Sequence, residues 1–421
     1  MNSTLSGFRC TTCARTYAAD DPQATYTCPA DGGNLDAVYD YAAIRRSVDP
    51  RALTASPDRS VWHYAPLLPC ALPPDASRLP TPLTLAGWSP LYRATRLEAA
   101  HDIRRVWLKD DARLPSSSFK DRASAQVIAR GLELGVQTVC AASTGNAASS
   151  LVTLCAGGPL RCVIFVPQST PEGKLAQILI HGARVYAVQG SYDDAFELAL
   201  QASRAFGWYN RNTGVNPFTR EGKKTAAFEI AEQLGAATAP FRAPDVLVVP
   251  VGDGNIISGI HKGFKDLHAL GWIERVPRFI GVTATLAPAL YRAWESGSEQ
   301  IDTVPSRTLA SGISVDLPRD GIMALRAVRE TGGCLVEASD DEMLDAMRTL
   351  AREAAVFTEP ASAAGLVGLR KARALGAIRA DDEVVIQLTG SGLKDVRSAL
   401  QAADAARQVV RIEGRLDEVK G

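Results

Sequence analysis

The 421-residue chain has no surplus of charge of either sign, no apolar run long enough to cross a membrane, and few histidines. Each shortage removes a class of function. Its 46 basic side chains are matched by 46 acidic ones, without the basic excess a nucleic-acid-binding protein needs. The longest apolar stretches, 161–166 and 246–249, are strand-sized, far below the about 20 residues of a helical membrane span. The first residues lack the apolar core of a secretory signal, so residence in the cytoplasm is expected. His63, His101, His181, His261 and His268 are scattered without ligand spacing. No internal repeat is present.

What is present describes a globular enzyme-sized protein. With 46% hydrophobic residues the chain can bury a full core, and its length suggests two globular units plus an appendage. Eight cysteines in so long a chain point to thiols or metal ligands in a reducing compartment more than to a disulfide frame. Cys10 and Cys13, followed by Cys28 and Asp31, nearly reproduce the double Cys-x-x-Cys spacing of a zinc ribbon, with a carboxylate as the fourth donor. A structural zinc and a metal-free knuckle of tight turns at 31–33 both fit this spacing. Prolines crowd 61–90, where an extended arm over the main body is expected rather than regular helix. Beyond it, strand-like and helix-like patches alternate strictly, the pattern of a parallel sheet with crossover helices. The expected division is a knuckle at 1–40, the arm and start of the core at 41–105, a lysine-bearing α/β region at 106–225 and a second α/β region at 226–421.

The stretch Ser116-Ser117-Ser118-Phe119-Lys120-Asp121-Arg122 leads into a helical run. A lysine between an aromatic ring and a helix start is partly desolvated and faces the positive end of the helix. Both effects disfavour its ammonium and leave the free amine that an imine-forming lysine needs. Three other stretches fall where strands give way to turns, the edge at which open parallel sheets bind ligands. Ser143-Thr144-Gly145-Asn146 enters a helix and offers hydroxyls, an amide and backbone donors to a carboxylate or phenolate oxygen. Gly252-Asp253-Gly254-Asn255-Ile256 lets successive amides converge on a phosphate. It has neither a Walker lysine nor Gly-x-Gly-x-x-Gly spacing, and Asp253, awkward beside a dianion, is expected to point outward. Thr389, in Leu388-Thr389-Gly390-Ser391-Gly392, ends a buried-looking strand with a hydroxyl suited to an aromatic nitrogen.

Together with Gly87-Trp88-Ser89-Pro90-Leu91, Gly173-Lys174-Leu175-Ala176-Gln177 and Glu359-Pro360-Ala361-Ser362-Ala363, these motifs resemble the threonine synthase branch of the pyridoxal phosphate enzymes of fold type II. The resemblance runs over almost the whole chain. It implies two open, twisted, mostly parallel α/β sheets flanked by helices, behind a zinc-ribbon-like knuckle. It also implies pyridoxal 5'-phosphate bound as an imine on Lys120, with Phe119 beside the ring, Asn146 on the phenolic oxygen, 252–256 around the phosphate and Thr389 on the ring nitrogen. Lys120, once released, is the family's general base and acid, and Ser143, Thr144, Gly145, Asn146 and Ala147 hold the substrate's carboxylate. Glu359 is implied to open an active-site-facing turn. A homodimer acting on a small amino acid is the expected assembly, with no nucleic-acid or membrane partner.

The substrate side departs from the family pattern. Thr213, Gly214 and Thr219 stand where threonine synthases carry the asparagine, serine and arginine that grip the phosphate of O-phosphohomoserine. Lys223 replaces a glutamine, Ala147 a threonine, and the glycine loop has the shorter length found in serine/threonine dehydratases. Losing a bidentate arginine removes charge-assisted bonds worth about 1.5–3 kcal/mol each. Two readings follow. One is a threonine synthase in which Arg220, Lys223 or Lys224 rebuilds the anion site. The other is a β-replacement or β-elimination enzyme, similar to cysteate synthase or a dehydratase, acting on a serine- or cysteine-derived substrate.

Overall fold

The computed structural model describes residues 1–404 together with 409, 412 and 413. A small head sheet comes first, built from β1 (Leu5–Cys10), β2 (Thr16–Tyr17) and β3 (Leu35–Tyr39), with β1 in the middle and both pairings antiparallel. The chain next lays down β4 (Leu91–Arg93) and β5 (Arg105–Asp110). It leaves to form a four-stranded parallel sheet from β6 (Thr138–Ala142), β7 (Arg161–Pro167), β8 (Arg184–Val188) and β9 (Tyr209–Asn210), in the order β8-β7-β6-β9. It then returns with β10 (Val246–Pro250), β11 (Arg278–Ala284), β12 (Cys334–Ala338) and β13 (Glu383–Leu388). These complete a six-stranded sheet of order β12-β11-β10-β13-β5-β4, parallel except for β4.

The central strands β10 and β13, VLVVP and EVVIQL, are buried at every position, because helices cover both faces of a parallel sheet. No helix among the described residues is long and apolar enough to cross a membrane. Two expectations are corrected. Strand β5, placed by sequence at the head of the 106–225 region, pairs with β13 along six residues and belongs to the other sheet. Local pattern cannot reveal such a pairing. The proline arm does contain helical turns, a 3-10 turn over Val61–Leu67 and a short helix over Thr81–Thr84 with proline in its first turn, where no N–H is needed. It wraps the body as expected, burying Trp62, Tyr64, Leu67 and Leu83.

Six helices matter for the site: α1 (Lys120–Glu133), α2 (Asn146–Cys155), α3 (Phe218–Lys223), α4 (Thr225–Gln233), α5 (Asn255–Ala269) and α6 (Pro360–Ala374). The first turn of α1 is locked from behind by a buried ionic cluster. Arg122 donates to Asp111 at 2.7 and 3.0 Å, to Glu229 of α4 at 2.5 and 2.8 Å, and to Thr225 at 3.0 Å. Lys109 of β5 donates to the same Glu229 and to the Ser89 carbonyl, both at 2.7 Å. Glu229 also accepts the backbone N–H groups of Trp88 and Ser89, and Trp88 adopts a left-handed conformation at φ 51°. The motif at 87–91 is therefore structural, a turn that closes the cluster. Arg122→Met would leave Asp111 buried without a cation and Glu229 with Lys109 alone, and a loss of about 3–5 kcal/mol in chemical denaturation is expected.

Candidate active site

The C-terminal ends of β6, β7, β10 and β13 open onto a cleft of about 580 Å3 and a side pocket of about 60 Å3 beneath 252–257. Lys120 lines both. Its loop is sewn to the end of β13: Phe119 N–H donates to the Thr389 carbonyl at 2.9 Å, and Ser391 N–H donates to the Ser117 carbonyl at 3.1 Å. Asp121 accepts from the Ser116 backbone and hydroxyl at 2.7 and 2.5 Å, which fixes the helix entry. Desolvation, with the guanidinium of Arg211 adding to it, lowers the pKa of Lys120 to about 8 against the opposing pull of Asp253 and Glu359.

Helices α2 and α5 both point their N-termini at this cleft, and neither is capped by a side chain. Their N-cap residues are Gly145 and Gly254. The first-turn amides, which a serine or aspartate cap would have consumed, stay available to an anion. Gly254 lies at φ +93°, and a Cβ there would meet the Asp320 carbonyl oxygen at 2.6 Å.

Among the residues expected from sequence, Ser143, Thr144, Gly145, Asn146, Ala147 and Asp253 line the main cleft. Gly252, Gly254, Asn255, Ile256 and Thr389 line the side pocket. Two are not brought to either. Phe119 is wholly buried behind the lysine, its ring centroid 5.6 Å from the Arg122 guanidinium. Thr219 is buried in the first turn of α3, where its hydroxyl donates to the Asn216 carbonyl at 2.7 Å. Lys223 was expected on the substrate side, yet it lines the side pocket and donates to Asn255 at the start of α5. Asp253 turns inward, contrary to expectation: its Oδ1 accepts the Arg319 N–H at 2.8 Å, while Oδ2 is shielded from solvent without a partner. Burial, and then Asp320, push its pKa up to about 7.

Arg211 and Glu359 complete the site. Arg211 follows β9 and is fully buried, with Nη1 donating to Thr213 at 2.8 Å and Nε to Ser124 at 3.3 Å, while Nη2 has no partner. Sequence offered no signal for it, because only the fold carries the edge of the small sheet next to Lys120. Glu359 is the N-cap residue of α6 and accepts from the Asn146 amide at 2.8 Å, and burial raises its pKa to about 7. Its motif was visible in the sequence, but its carboxyl chemistry was not.

Residues 83–390 match the family model described as "Pyridoxal-phosphate dependent enzyme". The chain is 35% identical over 416 residues to threonine synthase of Methanocaldococcus jannaschii, covering 98% of both proteins. It is 36% identical over 323 residues to threonine synthase of Mycobacterium tuberculosis, covering 76% of this chain and 86% of that one. Among solved structures, maize serine racemase superposes with a TM-score of 0.65 at 20% identity, over 76% of this chain and 92% of its own. Threonine deaminase isoform 2 of Solanum lycopersicum gives 0.64 at 21% identity, over 76% and 84%. The cleft fits a pyridoxal phosphate in its donor chemistry: a desolvated amine, and helix amides left unconsumed for a phosphate. With the Lys120 pKa at about 8, the neutral amine fraction rises from pH 7 to 9 and then saturates. Stopped-flow absorbance should show the rate of cofactor capture by apoprotein rising through pH 8 and levelling above it. An unperturbed lysine would keep accelerating toward pH 10.

Proposed function

Because the chain belongs to the threonine synthase family of pyridoxal-phosphate-dependent enzymes, we propose that it converts O-phosphohomoserine and water to threonine and phosphate, with the cofactor on Lys120 and the substrate's phosphate held by Arg211. The observation that carries the substrate is the unpartnered Nη2 of Arg211 in the cleft it shares with Lys120. A buried guanidinium nitrogen left unpaired is costly, and a phosphate oxygen satisfies it with a charge-assisted bond. Arg211 thus supplies the cation that position 219 lacks. It favours a phosphorylated substrate over the uncharged leaving groups of a serine dehydratase.

The bound cofactor supplies an electron sink for charge developing next to the substrate's amino group. When bound, its phosphate would be held by the amides at 252–256 at the start of α5, with Lys223 beside them, and its ring nitrogen would meet the neutral hydroxyl of Thr389. Asn146, oriented by Glu359, would face the phenolic oxygen. Residues 143–147 receive the substrate's carboxylate at the N-terminus of α2. Lys120, with its pKa near neutrality, takes and returns protons at the substrate's α carbon and beyond. The protein works as a homodimer in the cytoplasm. Its cysteines, all free in the structure, suit a reducing compartment.

Incubation with O-phosphohomoserine should release threonine and phosphate in equal amounts. Turnover of O-phosphoserine, O-acetylserine or serine alone would instead select the β-elimination or β-replacement reading. Arg211→Met should lower kcat/KM for O-phosphohomoserine by about 10- to 150-fold, the loss of one charge-assisted bond of about 1.5–3 kcal/mol. Most of that loss should appear in KM, with cofactor content unchanged.

A further inference from the structure

The head sheet holds a second constellation that the cleft does not use. Cys10, Cys13, Cys28 and Asp31 come from two turns, and one ligand atom of each lies within 4.8 Å of all the others. Cys13 Sγ and Cys28 Sγ are 3.7 Å apart, and Cys10 Sγ lies 3.3 and 3.6 Å from the two Asp31 oxygens. Tetrahedral zinc, with bonds of about 2.3 Å to sulfur and about 2.1 Å to oxygen, sets donor atoms roughly 3.6–3.8 Å apart. A disulfide would need its sulfurs at about 2.05 Å. The Thr12 and Cys13 N–H groups donate to Cys10 Sγ at 3.3 and 3.4 Å, which fixes the sulfur's position in the first turn. A Cβ at Gly33 would meet Cys10 Sγ at 2.8 Å and Asp31 Oδ1 at 3.0 Å, so the second turn closes around the donors only with glycine there.

We propose that these four residues bind one zinc ion, and that the ion staples the head to the phosphate end of the cleft. Three thiol protons leave as the ion binds. Leu5, Phe8, Leu35 and Tyr39 already pack into the main hydrophobic core, so what the ion adds is order in the turns at 10–13 and 28–33 and in the polar contacts that leave them. The connection onward is continuous. Thr11 N–H donates to the Asn34 carbonyl at 2.8 Å, and the Thr11 carbonyl accepts from Arg326 at 2.7 Å. The Asn34 amide donates to the Arg319 carbonyl and to Asp320 Oδ1, both at 2.9 Å. Asp320 Oδ2 accepts from Asn255 at 2.6 Å, and Asn255 accepts from Lys223. The metal turns thereby hold the residue that opens α5.

The staple half of the proposal rests on the cofactor reading above; the zinc half does not. Full-length holoprotein purified under reducing conditions should contain one zinc per chain by elemental analysis. Cobalt exchanged into the same site should give the intense visible bands of a tetrahedral thiolate complex, a readout that needs no variant. Cys28→Ser and Asp31→Ala should each weaken zinc at least tenfold in competition with a chromogenic chelator. Stripping zinc should speed release of pyridoxal phosphate several-fold. Protein that binds no zinc, a weak octahedral cobalt spectrum, or a Cys13–Cys28 disulfide by mass spectrometry would overturn the site. Unchanged cofactor release after zinc loss would overturn the staple. A chain that takes up no cofactor would defeat the functional reading while the zinc measurement stands.

Discussion

Three basic side chains, Lys120, Arg211 and Lys223, share one desolvated region, and the cost of burying their charge governs what the cleft can hold. Burial is the largest cause of the lowered pKa of each, and Lys223 is pushed down further by Lys120 and Arg211. The two carboxyls that face them, Asp253 and Glu359, are raised to about 7, so near neutral pH they do not fully cancel the positive field. Two uncapped helix N-termini add to it. In so poorly solvated a place the imbalance is expensive, and anionic ligands relieve it. A phosphorylated cofactor and a phosphorylated amino acid are the partners this field selects.

The scaffold exists to keep that imbalance in place. The buried cluster of Arg122, Asp111, Glu229 and Lys109 joins α1, α4, β5 and the proline arm, and so fixes the first turn of the helix that carries Lys120. On the far side, the head reaches the start of α5 through Asn34 and Asp320. Each end of the cleft is thus held by polar contacts between segments distant in sequence. The sheets supply the common edge from which the binding loops project.

Much of this was legible in the sequence. The lysine loop, the glycine turn at 252–256 and the start of α2 are local motifs whose backbone geometry follows from their residues, and all three lie at the cleft. What escaped depends on tertiary placement. Arg211 is an ordinary arginine until β9 pairs beside β6 and buries it near Lys120. Asp253 turns inward because the Arg319 N–H, 66 residues later, captures its carboxylate. Thr219 aligns with a phosphate ligand of relatives, but its hydroxyl is taken by a carbonyl three residues earlier. Lys223, one helical turn on, meets Asn255 of α5 instead of the substrate loop. Strand β5 sits in the sheet of the C-terminal strands, a pairing no hydrophobic period encodes.

The most direct test is to reduce the holoprotein with borohydride, digest it and find the lysine that carries the cofactor by mass spectrometry. The account predicts a pyridoxyl-phosphate adduct on the peptide bearing Lys120 and on no other. An adduct on Lys223 or Lys109, both buried lysines, or no adduct at all, would contradict it.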